Sequence, residues 1–295
     1  MSEKNVSLPD LNRLRLSLQA ECKNCFGLCC AALYFSASEG FPQDKKPGQP
    51  CFNLQPDFRC QVHQHLKEHG FKGCLAFDCC GAGQKVAQVS FGGFNWREKP
   101  ESAEQMFEIF LIMRQLHELL WYLTEALMLP ASAPIHQELK SMLEEIDRLT
   151  HLSPASLLKL DLAGQQAAVN VLLKQTCDLL QTRANPRKKV GSRRSKYLGP
   201  CADLIGADLT KRDLRGADLA GAYLIAANLS GLDLGGTIFI GADLRDADLS
   251  GADLSQSIFL TQFQVNTALG DDSTKLPVSI IRPAHWVQHK LPPNT

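Results

Sequence analysis

The sequence predicts an α+β protein of three different parts: a Cys-rich N-terminal region, a helical middle region and a C-terminal solenoid. Three observations support this division. Nine of the 11 cysteines lie between Cys22 and Cys80. Apolar residues recur at helical spacing from residue 101 to residue 183. From residue 201 to residue 270 the sequence repeats with a period of five, which neither a helix nor an ordinary strand has.

The five-residue repeat places one large apolar residue in each pentad. In a straight strand, residues five apart point to opposite faces, so the chain must turn once per pentad to keep them on one axis. Such a chain forms a solenoid, in which a small residue two places before the large one also points inward. The expected inward residues are Leu204, Leu209, Leu214, Leu219, Leu224, Leu229, Leu234, Phe239, Leu244, Leu249, Leu254 and Phe259.

Pentads such as ADLIG, ADLAG, ANLSG and ADLSG closely resemble those of the pentapeptide-repeat family. The resemblance implies a right-handed quadrilateral β-helix with four pentads in each coil. The two unusual pentads, TIFIG and SIFLT, lie twenty residues apart, which agrees with four sides and predicts that Phe239 lies beneath Phe259. One outer face would then carry an exposed apolar patch formed by Ile238, Ile240, Ile258 and Leu260.

The segment CKNCFGLCC, which begins at Cys22, has the cysteine spacing of a metal site. Two Cys three apart around a tight turn can bring both thiolates to one ion, and the next pair can complete the coordination or bridge to a second site. The first residues show no export signal, so the thiols are expected to stay reduced and to bind metal, with disulfides or free structural thiols as alternatives. The predicted metal ligands are Cys22, Cys25, Cys29, Cys30, Cys51, Cys60, Cys74 and Cys79.

Residues 20 to 85 also resemble the Cys-rich CxxCxxCC domains of bacteria that are described as zinc- or iron-chelating. The second spacer is one residue longer than usual, because three residues separate Cys25 from Cys29. The resemblance implies a Zn or Fe cofactor, and the number of thiols fits either two zinc sites or an iron–sulfur cluster with spare thiols. His63 is the best histidine candidate because it follows Cys60 by three residues, whereas His65 and His69 fit an exposed helix.

The middle of the chain predicts three helices. The first extends from about residue 101 to the breaks at Pro130 and Pro134, the second covers 135–149, and the third starts with Ser153 as N-cap and Pro154 in the first turn. A basic stretch then forms a flexible connector, and a tail anchored by Trp286 caps the solenoid. The predicted divisions are 1–98 (Cys-rich), 99–182 (helical), 183–200 (connector), 201–270 (solenoid) and 271–295 (cap).

The sequence contains no catalytic triad, no paired catalytic carboxylates and no phosphate loop, so we expect a protein that is not an enzyme. The expected role is that of a cytoplasmic binding or scaffold protein that acts on a protein partner, or self-associates, through the solenoid. No segment is apolar enough for a membrane, and nucleic acid is disfavoured as a partner.

Two other functions stay open. The first is a DNA mimic that protects a topoisomerase in drug resistance or immunity, as the pentapeptide resemblance suggests. About three coils of ~4.8 Å each make this solenoid much shorter than one turn of DNA, which weighs against that function. The second is a metal- or redox-dependent regulator or oxidoreductase, which would require reactive thiols.

Overall fold

The structure, a computed structural model, describes residues 8–184 and 199–286. Most of the predicted connector lies outside these residues. No helix in the described ranges is long and apolar enough to cross a membrane. The α-helices are α1 (Leu8–Ser17), α2 (Leu28–Ala32), α3 (Lys72–Ala76), α4 (Ala82–Gln84), α5 (Ala103–Met128), α6 (His136–Leu149), α7 (Pro154–Leu157), α8 (Leu162–Ala184) and α9 (Gln262–Thr267). Shorter 3₁₀ helices cover Cys22–Asn24, Ala37–Glu39, His63–His65, Pro100–Ser102 and Pro130–Ile135, and Lys85–Ser90 is π-helical.

The chain divides into two compact units. The first contains Asp78–Thr176 and the chain before it up to Cys74, and the second contains Leu75–Phe77 and the chain from Cys177 onward. The Cys-rich and helical segments therefore share the first unit, and the pentads belong to the second.

The core of the first unit is built on α5, whose apolar stripe packs against α6. Met106, Ile109 and Phe110 begin this stripe and are at most 1% exposed. The predicted first and second helices are confirmed, and the Pro130–Ile135 turn separates them as the prolines require. The α5 helix also packs against α1, α2 and α4, so the long helix supports the Cys-rich segment directly.

The predicted third helix is two helices. Ser153 caps α7 by accepting a hydrogen bond from the Ser156 N–H, as its sequence position predicted. The α7 helix ends at Leu157, and α8 starts at Leu162 with the Asp161 carboxylate accepting from the Gly164 N–H at 3.0 Å. The second helix start arises because Asp161 offers an alternative N-terminal cap within the expected helix.

The pentads form the second unit's core, which we call the repeat stack (residues 201–260). All twelve residues predicted to point inward are buried, with Leu204 the most exposed at 7%. Small residues such as Ala222 and Ala227 share the interior at 0% exposure. The predicted twenty-residue spacing is also found, since Ile238 forms a parallel bridge with Ile258. The period of five thus identified the inner surface correctly.

The predicted fold class is wrong in its β part. The described residues contain no β-strand and no sheet, and their regular secondary structure is helical, so the right-handed quadrilateral β-helix is not seen. Successive coils are instead joined by isolated parallel bridges between single residues, such as Asp208 with Asn228 and Asn228 with Asp248. Because the chain turns in every pentad, one residue per side pairs with the next coil, which is too few for a strand.

The prediction of an exposed apolar patch on the outer face is also wrong, because its residues are buried or only partly exposed. Ile238 is fully buried, Leu260 is 3% exposed, and Ile240 and Ile258 are only partly exposed. The end of α8, which belongs to the same unit, contacts the repeat stack: the Gln181 amide donates to the Gly216 carbonyl at 3.0 Å. The isoleucines therefore serve the internal packing of the second unit.

The C-terminal end of the repeat stack is closed by α9 and the residues after it. Gln264 takes the place where the repeat calls for Leu, and its side chain is buried. Its amide Nε2 donates to the carbonyls of Phe239 (2.7 Å) and Ala242 (2.9 Å), while Oε1 accepts from the Thr261 N–H at 2.8 Å. Trp286, the predicted anchor, is 8% exposed and donates to the Ala268 carbonyl.

We expect Gln264→Leu to destabilise the second unit, although it restores the repeat pattern. The substitution removes the donor to the Ala242 carbonyl and the acceptor of the Thr261 N–H, whereas the Phe239 carbonyl still accepts from the Ala242 N–H at 3.0 Å. Each buried polar group left without a partner costs about 1–3 kcal/mol. Urea unfolding followed by circular dichroism measures the loss. The exposed Gln256→Leu is the matched control and should change stability by less than about 0.5 kcal/mol. A Gln264→Leu protein as stable as the wild type would contradict this account of the cap.

Candidate metal centre

All 11 cysteines are free thiols, so the disulfide alternative finds no support in the structure. Eight of the nine cysteines in the Cys-rich segment fall into two neighbouring sets of four, and those eight are the ligands predicted from the sequence. The two sets meet at α2, which carries Cys29 and Cys30 side by side.

The first set comprises Cys22, Cys25, Cys29 and Cys79. The Cys25 thiol donates to the Cys22 carbonyl at 3.1 Å. The interaction of the two thiols raises the pKa of Cys22 to about 12 and lowers that of Cys25. Gly83 brings Cys25 and Cys79 together, because the position of its missing Cβ lies 3.7 Å from the Cys25 Sγ and 3.8 Å from the Cys79 Sγ. A side chain at Gly83 would displace Cys25, because its Cβ would lie only 2.8 Å from the Cys25 Cβ.

Gly27 makes the turn between Cys25 and α2. Its φ of 63° lies in the left-handed region, and a Cβ there would meet Leu54 Cδ1 at 2.6 Å. The turn brings Cys29 back toward Cys25 and Cys79. The pKa of Cys29 is raised by the hydrogen bond with Cys30, by burial and by the negative charges of Cys25 and Cys79. The additional residue in this spacer is accommodated by that turn.

The second set comprises Cys30, Cys51, Cys60 and Cys74. The Cys51 N–H donates to the Cys30 carbonyl at 2.9 Å, and Cys60 is held by an antiparallel bridge to Leu54. Burial raises the pKa of Cys74 to about 12, with further contributions from the charges of the other three members. Burial and the charge of Cys30 also raise the pKa of Cys51 and of Cys60, so these thiols resist ionisation until a cation compensates their charge.

The two sets are neighbours. The Sγ atoms of Cys29 and Cys30 lie 4.0 Å apart, and the charge of Cys22 also acts on Cys30. A hydrogen bond between Cys29 and Cys30 lowers the pKa of Cys30 and raises that of Cys29.

Lys45 is the functional residue that sequence reasoning missed. Its ammonium is buried and donates to the carbonyls of Gln49 (2.7 Å), Lys46 (3.1 Å) and Ala31 (3.2 Å). It also lies 4.7 Å from the centre of the Phe35 ring. Burial lowers the pKa of Lys45, while the charges of Cys51, Cys30, Cys29 and Cys74 oppose that shift. The thiols of the second set therefore face a fixed cation.

Cys80, which is not among the predicted ligands, contacts Asp78 and α5. Its thiol donates to the Asp78 carboxylate at 3.4 Å, and its carbonyl is 2.7 Å from His117 Nδ1 on α5. Burial lowers the pKa of His117 to about 4, so this histidine is neutral near pH 7. These contacts fix the Cys80 backbone against the long helix.

The histidines of the segment divide as expected. His63 is hydrogen-bonded to the Cys22 thiol, which raises the pKa of His63 and places it at the edge of the first set. His65 is exposed and pairs with Glu68 at 3.1 Å, and His69 is exposed as well. The predicted helix around them is a 3₁₀ turn, His63–His65, followed by further turns.

The donor types fit zinc or iron, because thiolates are the ligands that both metals take in closed protein sites. The side-chain arrangement is not that of a filled site: across residues 8–184 and 199–286, no group of three or more His, Cys, Asp or Glu is placed so that it could hold a metal ion. Metal binding would therefore require the thiols of a set to draw together.

The sequence was compared with known proteins. Residues 202–239 and 226–259 match a family profile described as "Pentapeptide repeats (8 copies)". Over 281 residues the chain is 52% identical to a Bacillus subtilis (strain 168) protein named "Uncharacterized protein YybG", and the alignment covers 95% of this chain and 98% of the relative. The chain therefore belongs to the family of YybG, and its C-terminal part consists of pentapeptide repeats.

Proposed function

We propose that the protein is a non-enzymatic binding or scaffold protein in which the Cys-rich part of the first unit holds a metal ion, zinc or iron, and the repeat stack meets a partner. The observation that supports this proposal is the placement of eight thiols in two neighbouring sets within one unit. Free thiols in such numbers serve no packing purpose that Ala or Val could not serve, whereas a metal requires them.

A thiolate-bound metal supplies folding free energy, since the ligands come together only in the folded chain. The Cys-rich segment needs such a contribution. Between Ala32 and Lys72 the described chain has only two short 3₁₀ helices and two isolated bridges. Its own packing includes the Phe58, Trp96 and Phe107 rings, whose neighbouring centroids lie 5.5 and 5.6 Å apart. We infer that the metal is structural.

The repeat stack is the proposed binding part. Apolar side chains are exposed in the residues that close its C-terminal end: Phe263 is 48% exposed, Ile281 is 61% exposed and Val278 is fully exposed. Exposed apolar groups of this kind are typical of surfaces that a protein partner or a second copy covers. No catalytic step is part of the proposal.

We expect protein purified under reducing conditions without chelator to contain zinc or iron, measured by elemental analysis against protein concentration. Cys25→Ser should lower the metal content because Cys25 is a buried member of the first set. The matched control is Cys201→Ser, an exposed cysteine at the start of the repeat stack, which should leave the metal content unchanged. Visible absorption distinguishes an iron–sulfur cluster from zinc, which is colourless.

Protein that is folded, free of metal and unable to take up zinc or iron after reduction would overturn the proposal. If that protein also formed a reversible Cys22–Cys25 disulfide, the redox regulator would become the better account, because the Cys25 thiol already contacts the Cys22 backbone at 3.1 Å.

A further inference from the structure

We propose that Lys85 is a nucleophilic lysine, that His151 activates it as a base, and that thioesters acylate it. Both residues belong to the first unit. Lys85 begins the π-helical segment Lys85–Ser90 and is partly exposed, and His151 follows α6 and is exposed. A small acyl donor can therefore reach the pair from solvent. Neither residue is among the predicted metal ligands, so this proposal does not depend on metal binding.

The observation that carries the proposal is a contact between two nitrogen atoms. The Lys85 Nζ lies 2.8 Å from the His151 Nε2, which is a hydrogen-bond distance. An ammonium and an imidazolium are both donors only, so this bond requires a lone pair on one of the two nitrogens. The two side chains therefore cannot both be protonated while the contact holds.

The turn after α6 sets which nitrogen of His151 accepts. The His151 Nδ1 lies 2.9 Å from the Asp147 carbonyl oxygen. Since a carbonyl only accepts, the hydrogen of the neutral ring lies on Nδ1, and the lone pair lies on Nε2, which faces Lys85. The Thr150 hydroxyl donates to the same carbonyl at 2.7 Å. Lys85, His151 and this carbonyl thus provide the nucleophile, the base and the group that orients the base.

The surroundings of the pair favour the neutral amine. Burial lowers the pKa of Lys85, and the charge of Asp147 opposes that shift. His117 on α5 adds no positive charge near pH 7, because burial lowers its pKa to about 4. The π-helical segment and α6 both pack against α5, so the long helix holds the two sides of the contact. Lys85 is therefore present as the free amine more often than an ordinary surface lysine.

The reaction that this arrangement supports is acyl transfer to the amine. His151 takes one proton from the Lys85 ammonium and passes it to solvent. The amine nitrogen attacks the thioester carbonyl, a C–N bond forms, and the C–S bond breaks with its electron pair on sulfur. A second proton leaves the nitrogen through His151 and neutralises the thiolate. The products are an amide on Lys85, a free thiol and one proton released to solvent.

The test is acetylation of the full chain by acetyl coenzyme A, with the rate at each lysine measured by mass spectrometry. Lys159, an exposed lysine of the same unit, is the internal reference. Near pH 7, Lys85 should react at least about tenfold faster than Lys159, because a positioned base contributes that factor or more. His151→Gln should abolish the difference, since the Gln oxygen can accept from Lys85 but cannot take its proton.

A second variant distinguishes a base from a merely structural contact. In His151→Ala, imidazole added to the solution should restore the ratio of the Lys85 rate to the Lys159 rate, because the position of His151 is open to solvent. Equal rates at Lys85 and Lys159 in the wild type would overturn the proposal. An unchanged ratio in His151→Gln, or a ratio in His151→Ala that imidazole does not raise, would overturn it as well.

Discussion

We expect Leu229→Lys to unfold the repeat stack. The Leu229 side chain is fully buried within the second unit. Removing it costs about 2–5 kcal/mol for the lost packing and cavity, and a charged amine without a partner in that interior costs several kcal/mol more. The sum is comparable with the whole stability of a typical domain. Thermal unfolding should therefore lose the transition of the second unit.

The neighbouring substitution Asn228→Lys is the matched control. Asn228 is partly exposed in the outward place of its pentad, and its side-chain oxygen accepts from the Ser230 N–H and hydroxyl at 3.1 and 2.7 Å. Losing these bonds should cost about 1–2 kcal/mol and leave the stack folded. Equal destabilisation by both substitutions would contradict the inward and outward register.

The second large effect is expected from metal removal. When the free metal concentration is about a thousand times the dissociation constant, binding stabilises the folded state by about 4 kcal/mol. For a domain of this size, that corresponds to roughly 8–16 °C in the unfolding temperature. Scanning calorimetry with and without a strong chelator should show that loss in one transition only, that of the first unit. The transition of the second unit should stay in place.

Readdition of zinc to the stripped protein is the control and should restore the transition. A chelator effect that was equal on both transitions, or absent from both in protein shown to contain metal, would contradict a structural metal in the first unit.

The repeat stack shows which structural features the pentad pattern can predict. Burial of every Leu and of Phe239 and Phe259 could be predicted, because a period of five leaves no other way to keep them on one side of a turning chain. The pairing between successive coils could not be predicted, because the family resemblance implied continuous β structure where the structure has single-residue bridges. The burial of Ile238 was not predicted, because a local repeat carries no information about the parts of the second unit that lie outside it.

The Cys-rich segment was predictable in a different way. Cysteine spacing predicted the eight ligands, and that choice of ligands stays a prediction; the structure places Cys80 beside Asp78. The division into sets depends on the turn at Gly27 and on the close approach at Gly83, which spacing alone does not show. Lys45 was missed because a lysine in a loop sequence gives no sign that three carbonyls will bury it.

Hydrogen exchange on the intact protein, with and without its metal, tests the central claim most directly. The claim predicts that stripping the metal increases exchange in peptides from residues 22–80 and leaves the peptides of the repeat stack, residues 201–260, unchanged. Identical exchange in residues 22–80 for the loaded and the stripped protein would contradict a metal centre built from these cysteines.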